Sequence, residues 1–310
     1  MNKLTDQIQA EVNKVVLGKE DIVRKVLLAI LAQGHVLLED VPGVGKTTLA
    51  KAFSKTLGLD SKRVQFTSDT LPSDIIGFSV FDKADGKLKY QSGAIMTNLL
   101  LADEINRTSS KTQAALLEVM EEGSVTVDGK TYPVPQPFTV LSTQNPFGSA
   151  GTQMLPQSQL DRFMVKLSMG YPDFESQVNI LKDRQTEQPL DSIHEVVSKE
   201  EVLNMQQEVI QVTVKENILR YITALVEKTR THELISLGVS PRGALAVNNM
   251  AKAAAYVKGR DYVVPEDVME IFVSVCAHRV ILHPRAKVSN TSAEEIIGEI
   301  VRETKAAELV

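Results

Sequence analysis

Short apolar runs alternate with longer amphipathic segments in the first half of the chain. The longer segments, residues 19–33, 46–57 and 111–123, carry apolar residues at helical spacing. The apolar runs are typical of buried strands; they are HVLLE (35–39), RVQFT (63–67), NLLLADE (98–104), FTVLST (138–143) and MVKLSM (164–169). Strands separated by helices predict an α/β fold, in which helices cover both faces of a parallel sheet (an αβα core).

Two segments interrupt this alternation with the pattern of β-hairpins. Each carries Asp-Gly between β-prone runs, at positions 85–86 and 128–129, and Asp-Gly favours the tight turns of hairpins. We therefore expect hairpin inserts over about 78–91 and 124–137. Prolines near the end of the second insert limit its paired length. The pattern leaves open whether the inserts are surface loops or contact a substrate or partner.

The second half of the chain has helical periodicity and no run typical of a buried strand. One helix has clear boundaries, because Ser240 can cap it, Pro241 suits its first position and Gly259 can end it. The 310 residues also exceed the size at which one core usually keeps growing. We expect two domains, an α/β core over residues 1–172 and a smaller all-helical domain over residues 173–310.

A glycine-rich turn between the first strand and the next helix carries candidate phosphate-binding chemistry. Its sequence, EDVPGVGKTT, ends like a phosphate-binding loop, with glycine, lysine and threonine in the required order. The glycines let backbone N–H groups approach phosphate oxygens, Lys46 supplies positive charge, and Thr47 supplies a hydroxyl for Mg²⁺. The residues expected to hold the phosphates are Pro42, Gly43, Val44, Gly45, Lys46, Thr47 and Thr48.

Asp40 occupies the position where the loop pattern has its first glycine. A carboxylate about 8 Å from a phosphate charge, at an effective dielectric near 20, costs about 2 kcal/mol. We therefore expect the Asp40 carboxylate to face away from the phosphates. Its place at the strand end, before Val41 and Pro42, allows that orientation.

Two further strands end in polar residues suited to hydrolysis. Asp103 ends the third strand and can hold Mg²⁺ through water, while the adjacent Glu104 can polarise an attacking water. Asn145 follows the fourth strand, where its amide could orient that water and touch the γ-phosphate. The sequence therefore predicts Mg²⁺ at Thr47 and Asp103, with Glu104 and Asn145 acting on the water.

Two arginines complete the candidate catalytic set. Arg162 lies just before the last predicted strand, and Arg242 is the second residue of the helix that begins at Pro241. Each alone could be a surface arginine in a salt bridge. An arginine aimed at a γ-phosphate is worth roughly 10³–10⁵ in rate, or about 4–7 kcal/mol, so both positions are candidates.

The composition of the chain indicates its cellular compartment and the binding partners that its charge disfavours. The net charge of −5 and pI of about 5.7 give no general attraction to nucleic acid or anionic membranes. The single cysteine, Cys276, excludes an internal disulfide and is typical of cytosolic proteins. No signal-peptide pattern or membrane-length apolar run is found. We expect a cytoplasmic protein without membrane insertion.

These elements, in this order, resemble the AAA+ ATPases. Walker A lies at 43–47, Walker B at 99–104, sensor 1 at Asn145, the arginine finger at Arg162 and sensor 2 at Arg242. The amino-acid sequence of these motifs and their surroundings is most similar to the MoxR family, and the resemblance covers nearly the whole chain. The segments that carry it are EDVPGVGKTTLAKA, YQSGAIMTNLLLADEINR, KTQAALLEVMEEGSVTVDG, STQNP, QLDRFMVKL and GVSPRGALA. The first Walker A glycine is commonly replaced in such sequences, so Asp40 looks like a normal variant.

The resemblance implies ATP and Mg²⁺ as ligands and assembly into rings, usually hexamers, with nucleotide at subunit interfaces. Arg162 would act in trans on the neighbour's ATP and Arg242 in cis, while Arg107 could share the trans role. Val16 and Gly18 match the segment that contacts adenine. The first insert matches the helix-2 insert and the second the pre-sensor-1 hairpin, both of which face the ring's channel. The all-helical domain matches the AAA+ lid.

For function, the resemblance implies a chaperone-like ATPase. Such proteins are thought to remodel or mature protein complexes with von Willebrand A domain partners. A nucleic-acid motor is one alternative, although the acidic pI and the lack of a basic, aromatic-rich stretch argue against nucleic acid. A nucleotide-gated switch or scaffold with little turnover is another, against which Glu104, Asn145 and the two arginines argue.

Overall fold

The computed structural model describes residues 2–84, 86–145, 154–183 and 189–306. Asp85 of the first predicted turn and residues 307–310 of the predicted helical domain lie outside this set. The strands are β1 (Val36–Glu39), β2 (Ser61–Gln65), β3 (Gly77–Asp82), β4 (Lys87–Ser92), β5 (Leu99–Asp103), β6 (Ser124–Val127), β7 (Lys130–Pro133), β8 (Thr139–Gln144), β9 (Val165–Leu167), β10 (Ile235–Leu237) and β11 (Ile281–Leu282).

Helices connect and surround these strands. Up to β9 they are α1 (Lys3–Asn13), α2 (Glu20–Leu31), α3 (Lys46–Thr56), α4 (Pro72–Ile76), α5 (Ser110–Glu122) and α6 (Gln157–Leu160). After β9 they are α7 (Phe174–Asp183), α8 (Lys199–Gln211), α9 (Glu216–Thr231), α10 (Pro241–Val257), α11 (Pro265–Cys276), α12 (Pro284–Val288) and α13 (Ala293–Glu303). Short 3₁₀ turns occur at Ile105–Arg107, Pro189–Ser192 and Ala277–Arg279.

Five strands form one parallel sheet in the order β2–β5–β8–β1–β9. At its centre, Val36 of β1 lies opposite Leu141 of β8 on one side and Val165 of β9 on the other. The central strands are buried along their length, which explains why they read as continuous apolar runs. The parallel sheet and its helical connections confirm the predicted α/β core.

Apolar side chains pack on both faces of the sheet. Successive residues of a strand point to opposite faces, and accordingly Leu37 and Leu38 belong to different clusters. The Leu38 cluster continues into the helices after β9, where it includes Val247 and Phe272. Because this cluster holds side chains from both sides of residue 172, the division of the chain into two domains there stays a prediction.

Both hairpins form close to the predicted positions. β3 pairs with β4 from Gly77–Ser92 to Asp82–Lys87, and β6 pairs with β7 up to Pro133. The tyrosine rings at positions 90 and 132 stack with their centroids 4.1 Å apart, which joins the two hairpins. The two hairpins therefore pack against each other beside the α/β core.

The second half is helical, as predicted, with one small addition. Ser240 caps α10 by accepting a hydrogen bond from the Gly243 N–H group. β10 and β11 form a short antiparallel pair that the sequence pattern did not indicate, because the strands have few residues and are mostly exposed. Among the residues described, no helix combines the length and apolar character needed to cross a membrane.

Candidate functional site

The turn between β1 and α3 and the start of α3, residues 42–48, form the phosphate cradle, whose backbone is suited to binding phosphate. Gly43 and Gly45 have φ of +88° and +97°, values that favour glycine, and a Cβ on Gly43 would meet no atom within 4 Å. Gly45 is the N-cap of α3, so the helix begins with Lys46 and Thr47. Exposed N–H groups, the positive end of a helix and a lysine together suit an anionic polyphosphate.

Lys46 is the charged group of this cradle. Its Nζ donates hydrogen bonds to the backbone carbonyls of Asp40 (2.9 Å) and Val41 (3.1 Å). Burial lowers the pKa of Lys46, while the negative charges of Asp40, Asp103 and Glu104 act in the opposite direction. The acids at the end of β5 therefore lie within electrostatic range of the phosphate cradle.

The carboxylate of Asp40 is buried and fully engaged away from the cradle. It accepts hydrogen bonds from Ser168 Oγ (3.2 Å), the Gly170 N–H group (3.1 Å) and the Met169 N–H group. These contacts tie the end of β1 to the segment that follows β9. They confirm the predicted orientation of the Asp40 carboxylate.

A cavity of about 750 Å³ adjoins the phosphate cradle. This volume lies within the range of small-molecule sites, about 300–1,000 Å³. Its walls come from the cradle, the α1–α2 connection and α7. The predicted nucleotide-binding residues that line it are Val16, Pro42, Gly43, Val44, Gly45 and Thr48.

Gly18 does not line the cavity but supports its wall. It has φ of +67°, and a Cβ there would lie 2.5 Å from Ser176 Oγ and 3.0 Å from Asp173 Oδ2. Next to it, Lys19 Nζ donates to the Tyr171 carbonyl at 2.9 Å. The α1–α2 connection thus sits directly against the start of α7.

Asp103, the predicted Mg²⁺ anchor, is held by two partners. One oxygen accepts from Thr143 Oγ1 at 2.6 Å, and the other accepts from Arg63 Nη2 at 2.6 Å. Among the described residues no cluster of three or more His, Cys, Asp or Glu could hold a metal unaided. The predicted Mg²⁺ ligands, Thr47 and Asp103, would form a donor set that suits this ion together with water and phosphate oxygens.

Glu104 has an unusual backbone and a paired side chain. Its φ of +58° is uncommon for a residue other than glycine, and its N–H group donates to Thr143 Oγ1 at 2.8 Å. One carboxylate oxygen accepts from Arg107 Nη1 (2.6 Å) and Gln65 Nε2 (3.1 Å). Arg107, the second candidate for a trans role, is thus paired within its own chain.

Arg63, Gln65 and Thr143 were missed by the sequence reasoning. Arg63 and Gln65 lie on β2, next to β5, with Gln65 directly opposite Asp103 in the register. Thr143 lies on β8, on the other side of β5. Polar residues near the ends of neighbouring strands were the available signal, but they become informative only once the strand order is known.

Asn145 follows β8 directly, so it lies at the same edge of the sheet as Asp103 and Glu104. It is half-buried, and its backbone carbonyl accepts a hydrogen bond from Asn106 Nδ2 at 3.2 Å. The structure therefore brings the cradle, both acids and Asn145 to one edge.

Arg162 and Arg242 meet at a different place. Arg162 Nη1 lies 3.0 Å from one carboxylate oxygen of Glu121, and Arg242 Nη2 donates to the other. Glu121 lies in the last turn of α5, next to Met120, whose carbonyl is 2.9 Å from His35 Nε2. His35 immediately precedes β1, so this cluster lies where the strand begins.

This placement favours a trans role for Arg242 over the expected cis role. The cradle follows the end of β1, whereas Arg242 lies near its beginning. At about 3.3 Å per residue, the five steps from His35 to Asp40 span roughly 16 Å. A cavity of about 370 Å³ is lined by Arg162 and Arg242, and it shares no lining residue with the cavity at the cradle. The local sequence predicts that Arg242 lies at the start of a helix. The packing of that helix decides which edge of the parallel sheet the arginine lies near.

Comparisons with known proteins agree with this geometry. Residues 35–165 match the family described as ATPase family associated with various cellular activities (AAA), and residues 227–300 match the AAA lid domain. The chain is 47% identical to the protein YeaC of Bacillus subtilis, over 98% of this chain and 95% of that protein. It is 36% identical to Chaperone MoxR1 of Mycobacterium tuberculosis, over 94% of this chain and 79% of that protein.

A further relative and two solved structures are also similar to this chain. Protein MoxR of Methylorubrum extorquens is 29% identical over 96% of this chain and 92% of that protein. The crystal structure of a proposed ATPase from Cytophaga hutchinsonii has a TM-score of 0.90 at 38% identity, covering 97% of this chain and 94% of that one. An MCM homologue from Methanopyrus kandleri, at TM-score 0.63 and 21% identity over 87% of this chain and 58% of that one, shares the fold. The chain belongs to the MoxR family of AAA+ ATPases.

Proposed function

We propose that this protein hydrolyses ATP with Mg²⁺ in a ring of identical subunits, a hexamer by family resemblance. The observation that carries the proposal is the separation of two half-sites in one chain. The cradle and the acids lie at the end of β1, and the two arginines lie near its beginning. A closed ring of head-to-tail contacts would join the half-sites of neighbouring copies.

In the first half-site, each group has a distinct task. Lys46 binds the phosphates, and Thr47 and Asp103 hold Mg²⁺, which neutralises charge on the phosphates. Glu104 accepts hydrogen bonds from Arg107 and Gln65 at one carboxylate oxygen, so its other oxygen would accept the proton from water. Asn145 orients that water.

In the second half-site, Arg162 and Arg242 act together. Both are aimed at the γ-phosphate of the neighbour's ATP, so both act in trans. Arginine is suited to this task because its planar group donates several hydrogen bonds to phosphate oxygens and stays charged. The ATP site is therefore complete only when two subunits meet.

The proposed use of ATP hydrolysis is chaperone-like remodelling or maturation of protein complexes in the cytosol. One relative is named a chaperone, and the family resemblance supplies the proposed von Willebrand A domain partner. The β3–β4 hairpin exposes apolar side chains, Phe78, Phe81 and Leu88, which suits contact with a protein client in the ring's channel.

Turnover measured against protein concentration tests the proposed function. Turnover per subunit should rise with concentration, because each site needs two copies. Glu104→Gln should lower turnover about 10²-fold or more while ATP still binds, since it removes the acceptor for the water's proton. Glu216→Gln, on the exposed surface of α9, is the matched control. Undiminished hydrolysis in Glu104→Gln would contradict the assigned chemistry.

A further inference from the structure

A single carboxylate, that of Glu121, lies between the two catalytic arginines. One of its oxygens is 3.0 Å from Arg162 Nη1, and the other accepts a hydrogen bond from Arg242 Nη2. Two guanidinium groups from different elements thus converge on one small anion. This is the arrangement in which arginines bind a phosphoryl group.

The position of Glu121 on its helix makes this pairing informative. Glu121 lies in the last turn of α5, where the helix dipole disfavours negative charge. The structure describes every residue of α5, and its last turn contains no basic residue. Compensation comes from the two arginines, and Arg162 also donates to the Leu117 carbonyl of α5 at 2.9 Å. The carboxylate is therefore stabilised by the groups that would otherwise be free to bind phosphate.

The spacing of the arginines is fixed by a buried ionic cluster behind them. Asp161, next to Arg162, accepts hydrogen bonds from Ser240 Oγ and Arg279 Nε, each at 2.9 Å. Ser240 caps the helix that carries Arg242. The side chain of Arg279 is only 2% exposed. The residue next to Arg162 and the cap of the helix that carries Arg242 are therefore held by one ionic cluster.

The pairing is nevertheless open to exchange. The side chains of Arg162, Glu121 and Arg242 are 31%, 36% and 43% exposed. Salt bridges at such exposure are weak, and an incoming phosphate carries more negative charge than a carboxylate. A phosphate presented by another subunit could therefore displace Glu121 without unfolding any element.

We propose that Glu121 is a displaceable anion that occupies the phosphate position between Arg162 and Arg242 until a neighbouring subunit presents its ATP. The inference rests on the proposed function, because it requires both arginines to act in trans. Glu121 keeps the arginines paired in the separate subunit and competes with the neighbour's γ-phosphate. It thereby raises the protein concentration needed for nucleotide-dependent assembly.

Association of non-hydrolysing variants in Mg-ATP tests this role. In a Glu104→Gln background, sedimentation velocity gives the protein concentration at half-association. Adding Glu121→Gln should lower that concentration about fivefold, equivalent to about 1 kcal/mol at 1.4 kcal/mol per tenfold. Glu122→Gln makes the same charge change in the same turn, and within the described chain Glu122 has no ion pair, so it should leave association unchanged.

The other outcomes are equally decisive. Glu121→Asp keeps the charge and should associate like the Glu104→Gln parent, and thermal melting checks that each variant is folded. Weaker association in Glu121→Gln, or equal changes in Glu121→Gln and Glu122→Gln, would overturn the role of Glu121 while leaving the shared site intact. A parent that does not associate in ATP at any concentration would instead overturn the proposed function, and this inference with it.

Discussion

At the scale of single residues, His35 shows how a buried polar group can join the elements that meet where β1 begins. Its Nδ1 accepts a hydrogen bond from the Val140 N–H group at 3.0 Å. The other ring nitrogen, Nε2, therefore carries the proton and donates to the Met120 carbonyl at 2.9 Å. The bond from Val140 requires an unprotonated Nδ1 and therefore the neutral ring, and burial lowers the pKa of His35 to about 4.

This pKa predicts a pH-dependent stability. The unfolded residue has a pKa of about 6.5, so between pH 6.5 and 4 the unfolded chain binds more protons than the folded one. The contribution of His35 is complete above pH 6.5 and falls as the pH drops, by about 3 kcal/mol at most. Urea unfolding at several pH values should show a smaller loss in His35→Asn, whose side chain can accept the Val140 bond without titrating.

The exposed His194 provides the control for that measurement. His194→Asn should lose stability with falling pH as the wild type does. If His35→Asn also followed the wild-type pH dependence, the buried neutral state of His35 would be contradicted.

Site residues were predictable where chemistry and local position coincide. Asp103 and Glu104 stand at the end of an apolar strand, and Lys46 stands at the start of a helix, so the sequence alone indicated where they lie. Their roles stay predictions. Arg63 and Thr143 each lie 40 residues from Asp103 in the chain. Their contacts depend on the order of the strands, which local patterns do not contain.

At the scale of elements, the sheet and the long helices follow from hydrophobic periodicity. Two features did not. The β10–β11 pair is too short and exposed to produce a pattern. The start of α10 was predicted correctly, but its position beside Glu121 depends on the packing of the helices after β9. That packing favours a trans role for Arg242 over the expected cis role.

The contact between the α1–α2 connection and α7 predicts an effect on ATP affinity. Gly18→Ala places a Cβ 2.5 Å from Ser176 Oγ, and α7 supplies part of the cavity wall. A left-handed alanine costs about 1–2 kcal/mol, and relieving the clash must move the wall. We expect about tenfold weaker ATP binding, equivalent to about 1.4 kcal/mol, by titration calorimetry.

Gly129→Ala is the control that separates the backbone strain of a left-handed alanine from the contact that a Cβ makes with α7. Gly129 has φ of +76°, but a Cβ there would meet nothing within 4 Å. It should therefore carry a similar backbone cost without changing ATP affinity. Equal effects of the two substitutions, or wild-type affinity in Gly18→Ala, would contradict the supporting role of Gly18.

At the scale of the whole molecule, the central feature is the separation of two groups of candidate catalytic residues. The phosphate cradle and the acids lie at one edge of the parallel sheet, while Arg162 and Arg242 lie together at the other. A buried cluster centred on Arg279 keeps the arginines together. One chain therefore offers two incomplete halves, and assembly would make each ATP site whole.

Mixing inactive variants tests this division most directly. Lys46→Ala should fail to bind phosphate but keep both arginines, whereas Arg242→Ala should keep the cradle. If both arginines act in trans, mixing these two variants restores ATP hydrolysis, because roughly a quarter of the contacts in randomly mixed rings join an intact cradle to an intact arginine pair. Mixing Arg162→Ala with Arg242→Ala restores none, since neither subunit carries both arginines. A cis role for Arg242 predicts the reverse, with recovery only in the Arg162→Ala and Arg242→Ala mixture, and that result would contradict the divided site.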